Sequence, residues 1–142
     1  MNTSTTNPAP DLSPDLFQRI VMQSPDALIC TDRHGTIMVW NQCAETIFGY
    51  AAAEVVGKNL DIIIPERFRR VHWDGFNKAV ESGKIRRAGQ VLTTRATHKS
   101  GNKLYLDFSF GLVKDAAGAV IGVLATGRDC TERHLAGAAP KS

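Results

Sequence analysis

Apolar and polar residues alternate along the C-terminal half of the chain, which is the pattern of half-buried β-strands. In the segment 103–113, one face of the predicted strand carries Leu104, Leu106, Phe108, Phe110 and Leu112. The segments 90–97 and 120–128 also have strand character, and the segments 27–31 and 36–40 flank a short turn, as in a hairpin. The pattern therefore predicts five strands joined by antiparallel turns.

Helical spacing of apolar residues is clearest between Pro65, which begins a helix, and Gly83, which ends it. The inward face of this helix consists of Phe68, Val71, His72, Gly75, Phe76, Ala79 and Val80. Two short helical pieces precede it. The order of two strands, helices and three strands predicts an α+β fold, with helices on one face of a five-stranded antiparallel sheet.

Four segments follow from this pattern. Residues 1–10, which are rich in Thr, Asn and Pro, predict a disordered N-terminal tail. Residues 11–24 predict an amphipathic N-terminal helix, with Ser13 as N-cap and Pro14 in the first turn. Residues 25–133 are predicted to form one domain, and residues 134–142 a C-terminal tail.

Composition narrows the class of protein. The 142 residues suit a single domain, and a net charge of +3 without clustering gives no indication of a nucleic-acid partner. We expect no membrane partner, because no apolar run approaches 18 residues, and the N-terminus lacks the features of a signal peptide. Three cysteines without metal-ligand spacing predict reduced thiols in a cytoplasmic protein.

Several motifs, in order, resemble the PAS family. They are Gly-Thr-Ile-Met-Val-Trp-Asn at 35–41, Ala-Glu-Thr-Ile-Phe-Gly-Tyr at 44–50, Glu-Val-Val-Gly-Lys at 54–58, Lys-Ser-Gly-Asn at 99–102 and Gly-Arg-Asp-Cys-Thr-Glu-Arg at 127–133. The resemblance covers residues 16–133 and implies a sheet that cradles helices around a pocket. The Asn-Cys-Arg-Phe-Leu-Gln motif of flavin-binding members is absent, so we do not expect flavin-thiol photochemistry.

Within that family the chain is similar to the haem-binding sensors of the FixL and Dos types. His72 follows Pro65 by seven residues, as the proximal histidine does in those sensors. The resemblance implies that His72 ligates the iron of haem b, and a neutral imidazole on an apolar helix face suits that task. The alternative interpretation is a core histidine bonded to a backbone carbonyl.

Other residues are assigned to the haem site with His72. The expected apolar surroundings of the haem are Ile62, Ile64, Phe68, Phe76, Leu106, Phe108, Phe110 and Leu124. Arg86 and Arg87 are the expected partners of the propionates, and Arg86 aligns with a propionate-contacting position of the FixL-like sensors.

The expected distal side departs from the pattern of these sensors. Leu92 takes the place of an oxygen-stabilising Arg in the FixL type, and Gln90 takes the place of a Met ligand in the Dos type. Strand alternation puts Gln90 and Leu92 on one face. Because Leu92 offers no hydrogen bond, we do not expect tight oxygen binding.

Three functions are compatible with these residues. The first is a single-domain haem PAS protein that binds CO, NO or O₂, forms a homodimer and signals through a separate protein. The second is a cofactor-free PAS module that binds a small molecule or a protein. The third is a haem-dependent enzyme that uses the same pocket, although no distal acid–base pair is evident.

Overall fold

The computed structural model describes residues 8–10 and 12–138 of the chain. The predicted N-terminal tail, 1–10, and the last four residues of the predicted C-terminal tail fall largely outside this part. In chain order the elements are α1 (Pro14–Gln23), β1 (Ala27–Thr31), β2 (Ile37–Trp40), α2 (Gln42–Phe48), α3 (Ala52–Val55), a 3₁₀ turn (Leu60–Ile63), α4 (Glu66–Ser82), β3 (Leu92–Thr97), β4 (Lys103–Lys114), β5 (Val120–Asp129) and α5 (Thr131–Ala138).

The five strands described form one antiparallel sheet in the order β2-β1-β5-β4-β3. The first strand therefore lies beside the last one, and β2 and β3 are the edges. The α+β class, the strand number and the helices packed on the sheet agree with the sequence prediction. The helices between β2 and β3 cross one face of the sheet, and the main core lies between them and the strands.

The ends of two helices follow from local chemistry. The Ser13 hydroxyl accepts a hydrogen bond from the Leu16 amide at the start of α1, and Pro14 occupies the first turn. Helix α4 ends at Gly83, whose φ of +70° lies in the left-handed region that glycine adopts without strain.

Two differences from the sequence prediction concern the segments that follow α4 and β5. Strand β3 begins at Leu92, because residues 87–90 form a turn in which the Gln90 amide donates to the Arg87 carbonyl. The chain from residue 131 to residue 138 is helical, so the predicted C-terminal tail begins as part of α5. No helix among residues 12–138 has the length and apolar character needed to cross a membrane.

Candidate functional site

A cavity of about 690 Å³ lies between the sheet and the segment that runs from the 3₁₀ turn into α4. Its helical side is formed by Leu60, Ile63, Ile64, Phe68, Val71 and His72, and its sheet side by Ile29, Thr93, Thr94, Arg95, Ala96, Phe108, Phe110 and Ala125. The cavity opens to solvent along α4, since Val71 is 73% exposed and Phe68 is 38% exposed. Its size is within the range of roughly 300–1,000 Å³ that small-molecule and cofactor sites occupy.

Among the titratable residues that line the cavity, His72 is the one whose pKa is shifted by its surroundings. Burial lowers the pKa of its imidazole, and the carboxylate of Asp61 acts in the opposite direction. Its Nδ1 atom is buried and has no hydrogen-bond partner in the described part of the chain. The histidine is therefore neutral at pH 7, and the alternative of a core histidine bonded to a backbone carbonyl finds no such bond at Nδ1.

Five of the residues assigned to the site from sequence line the cavity. They are His72, Phe68, Ile64, Phe108 and Phe110. Phe68 and His72 follow from the helical spacing of α4, and Ile64 directly precedes Pro65 at the end of the 3₁₀ turn. The two phenylalanines follow from the alternation of β4, and their rings lie 6.0 Å apart in an edge-to-face arrangement.

Four other apolar residues assigned to the site lie elsewhere. Phe76 packs with Val80 and Val120 in a second cluster further along α4. Leu106 is fully buried in the main core. Leu124 pairs with Cys30, one residue out of phase with Ala125, so its side chain is on the opposite face of β5 from the cavity. Ile62 packs against the main core next to Ile63.

The residues assigned to the propionates and to the distal side of the haem lie before β3 or at its first residue. Arg86, Arg87 and Gln90 are exposed on the connection between α4 and β3. Gln90 is therefore outside the strand, and alternation does not fix its direction. Leu92 pairs with Phe108, which places it on the cavity face of the sheet, although it is not among the lining residues.

The sequence analysis does not assign two residues that lie beside the site. Trp73 and Asp61 join each other through a hydrogen bond of 2.6 Å from the indole Nε1 to a carboxylate oxygen, and Trp73 contacts His72 edge-on. The position of Trp73 directly after His72 is the sequence feature that could have identified it. Helical spacing, however, puts Trp73 outside the apolar face of α4.

A family model described as the PAS fold matches residues 21–135, which is most of the chain. This chain belongs to the PAS family. The match includes the five strands that the structure describes and the residues that line the cavity.

The PAS domain is similar to parts of two larger sensors. The oxygen sensor protein DosP of Escherichia coli (strain K12) is 28% identical over 116 residues, which cover 82% of this chain and 14% of DosP. The sensor protein FixL of Bradyrhizobium diazoefficiens is 42% identical over 56 residues, which cover 39% of this chain and 11% of FixL. The chain thus spans a small part of the length of these curated relatives.

A solved structure gives the same fold. The PAS domain of a protein from Colwellia psychrerythraea superposes with a TM-score of 0.70 at 22% identity, and the match covers 84% of this chain and 98% of that one. At this level of identity the likeness concerns the fold alone.

Proposed function

We propose that this PAS domain is a haem-binding sensor domain in which His72 ligates the iron of haem b. The observation that carries the proposal is the environment of His72, a neutral imidazole in the wall of a mostly apolar cavity. Haem iron in proteins is commonly held by one such imidazole. The similarity to DosP, which is described as an oxygen sensor, supports the same function.

The protonation state of His72 favours metal ligation. A histidine must be neutral to donate a lone pair to a metal, and burial lowers the pKa of His72. Nδ1 is enclosed by protein, which leaves Nε2 as the nitrogen for a ligand in the cavity. No cluster of three or more metal-ligating side chains occurs among residues 12–138, so a ligand that needs one protein donor fits this site better than a bare metal ion.

The walls of the cavity would exclude water from a flat apolar cofactor. Ile29, Ile64, Phe108 and Phe110 provide aliphatic and aromatic surface on the two sides. Bound haem would supply an iron centre that takes up CO, NO or O₂. We place Arg86 and Arg87 near the propionates and Leu92 on the distal side, since Leu92 faces the same way as Phe108.

Binding of a ligand in the cavity would be signalled through contacts that the surface of the domain makes with other protein chains. Helix α1 exposes apolar side chains that a homodimer would cover, with Phe17 at 54% and Ile20 at 56% exposure. We propose a second copy of the chain on this face, and a separate signalling protein as the receiver of the output.

The test is an absorption spectrum of the purified domain reconstituted with haem, recorded oxidised, reduced and with CO. We expect a Soret band that titrates to one haem per chain and shifts on addition of CO. His72→Ala should lose this spectrum, whereas His34→Ala should keep it, because His34 is exposed in the turn between β1 and β2. Identical haem spectra in both variants would refute the assignment of His72.

A cofactor-free sensor domain is the second candidate. The observation in its favour is the mostly apolar lining of the cavity, which suits an apolar or amphipathic small molecule without any metal. A wild-type preparation that stays colourless after reconstitution with haem, yet gains thermal stability from an extract of apolar metabolites, would establish this function instead.

A further inference from the structure

The His72 imidazole is oriented without a hydrogen bond to its buried nitrogen. A metal-ligating histidine usually donates its second ring N–H to a carboxylate or a carbonyl, which fixes the plane of the ring. Nδ1 of His72 has no such partner within residues 12–138. Packing must therefore hold the ring.

Trp73 makes the tightest aromatic contact with His72. The ring centroids are 4.5 Å apart and the planes cross at 82°, an edge-to-face arrangement that aromatic rings favour. Phe76 lies on the next turn of α4, 6.0 Å from the His72 ring. It also meets Trp73 edge-on at 4.9 Å, so the three rings pack as a unit.

Trp73 is itself fixed from two sides. Its Nε1 donates to Oδ1 of Asp61 in the 3₁₀ turn, at 2.6 Å. Its six-membered ring covers Gly35 in the turn between β1 and β2 so closely that a Cβ atom at Gly35 would overlap the indole. The hydrogen bond and the contact with Gly35 together define the orientation of the indole.

Asp61 is held in turn by α4. Nη2 of Arg69 donates to the Asp61 carbonyl at 3.1 Å, and Nε of Arg69 donates to the Ile64 carbonyl at 3.0 Å. These bonds tie the 3₁₀ turn to the first turns of the helix that carries His72. Asp61, Trp73 and His72 are therefore linked by one continuous set of contacts.

We infer that Trp73, held by Asp61, is the positioning residue that keeps the His72 imidazole in the orientation needed for a ligand in the cavity. The inference rests on the proposed function, because it gives His72 the role of ligand. Trp73 acts through His72 and does not itself touch the bound group. Packing against a hydrogen-bonded indole thus replaces the usual hydrogen bond to the ligating histidine.

Haem affinity of matched Asp61 variants tests this role. Loss of an outer partner of a metal ligand typically weakens metal binding by about 10–100-fold. We expect a loss in this range for Asp61→Ala, which frees the indole. Asp61→Asn keeps an oxygen acceptor for Nε1 and should retain affinity within a few-fold of wild type. Asp74→Ala, an exposed aspartate on α4, is the control and should bind as wild type does.

A measurement on the haem-free protein tests the inference independently. The ring-proton resonances of His72 sense the neighbouring indole. At a pH where the imidazole is uncharged in every variant, Asp61→Ala should shift them, and Asp61→Asn and Asp74→Ala should leave them in place. Trp73→Phe keeps an aromatic edge without the N–H and provides a second variant if Asp61→Ala fails to fold. It should shift the same resonances and weaken haem binding.

The outcomes separate the two proposals. Equal haem affinities or equal His72 resonances in Asp61→Ala and Asp61→Asn would overturn the positioning role, even if wild type binds haem through His72. A wild-type protein that binds no haem would refute the proposed function. In that case the His72 resonances of the haem-free variants still decide whether Trp73 orients the ring.

Discussion

The guanidinium of Arg133 on α5 pairs with the carboxylate of Asp107 on β4, and this ion pair ties the C-terminal helix to the outer face of the sheet. Asp107 also accepts hydrogen bonds from the Thr93 hydroxyl at 2.7 Å and from the Cys130 thiol at 3.4 Å. The same face holds the Tyr105 ring, which stacks on His134 of α5. Helix α5 is therefore held by this carboxylate, by this aromatic stack and by the Thr131 hydroxyl, which accepts a hydrogen bond from the Tyr105 amide at 2.9 Å.

Acid should loosen α5 from the sheet. The hydrogen bonds from Thr93, and then from Arg133, hold the pKa of Asp107 below its ordinary value. A lowered pKa means that the contact is fully present above the ordinary aspartate pKa of about 3.9 and is lost as pH falls through the lower value of the folded state.

Hydrogen exchange measured against pH checks this expectation. Backbone amides of α5 should exchange faster below about pH 4 than the exchange chemistry alone predicts. Asp107→Asn should remove that pH dependence. Amides of β1 provide the internal reference, and parallel behaviour of α5 and β1 would contradict the prediction.

Gly35→Ala should destabilise the domain more than Gly57→Ala does. Both glycines have a positive φ, +84° and +90°, which costs a non-glycine residue about 1–3 kcal/mol. A Cβ atom at Gly35 would also overlap Trp73, whereas a Cβ atom at Gly57 would meet no atom within 4 Å. Urea unfolding measures the difference, and equal losses would show that Trp73 moves aside without cost.

Asn41→Ala should be among the most destabilising single substitutions in the domain. The buried Asn41 side chain accepts from the Leu28 and Ala44 amides and donates to the Val21 and Asp26 carbonyls, at 2.9–3.1 Å. Alanine removes the cap of α2 and leaves buried backbone polar groups without a partner. We expect the free energy of unfolding to fall by about 2–4 kcal/mol.

Asn59→Ala is the matched control for Asn41. Asn59 is exposed and caps the 3₁₀ turn through one hydrogen bond of 2.8 Å to the Asp61 amide. Asn59→Ala should lower the free energy of unfolding by at most about 1 kcal/mol, as measured by thermal or urea unfolding. Similar losses for Asn41→Ala and Asn59→Ala would mean that water replaces the partners of Asn41.

Phe17→Ser should weaken self-association if α1 is the dimer contact. Leu12, Phe17 and Ile20 are exposed, and burial of a phenylalanine in an interface contributes about 1.5–3 kcal/mol. We expect the dimer dissociation constant to rise by about 10–100-fold in sedimentation velocity. Gln18→Ser on the same helix is the control, and an unchanged constant for Phe17→Ser would place the contact elsewhere.

Leu92→Arg should raise the oxygen affinity of the haem-loaded domain. Leu92 lies on the cavity face of β3 and offers no hydrogen-bond donor, whereas a charged donor contributes about 1.5–3 kcal/mol. The oxygen dissociation rate measures the effect. Val91→Arg, at the neighbouring exposed residue, should leave the rate unchanged. No effect of Leu92→Arg would remove Leu92 from the distal side.

Much of the fold could be predicted from local patterns. Ser13, Pro14 and Gly83 mark helix ends through their own chemistry, and the alternation of β4 identifies its cavity face correctly. The predicted start of β3 lies two residues too early, because the strand pattern alone does not register the turn at 87–90. Gly89 is the sequence signal for that turn, since its φ of +79° suits the third position of a β-turn.

The site could be predicted where one face is clearly apolar. Phe108 and Phe110 follow from β4, but β5 is apolar on both faces, so alternation cannot tell whether Leu124 or Ala125 faces the cavity. Pairing with β1 decides for Ala125, opposite Ile29. Helical spacing likewise shows that Phe68 and Phe76 share a face, but not that Phe68 borders the cavity while Phe76 packs in a separate cluster.

The position of β1 beside β5 also bears on how the domain reaches its native state. Ala27 pairs with Gly127, so β1 and the central strand β5 join segments that are far apart in the sequence. Contacts between segments so far apart in sequence form only after a long loop has closed. The entropy lost in closing that loop slows folding. During synthesis the β1–β2 hairpin can form early, but β1 keeps one unpaired edge until β5 has left the ribosome. We therefore expect the domain to close its sheet last at the centre.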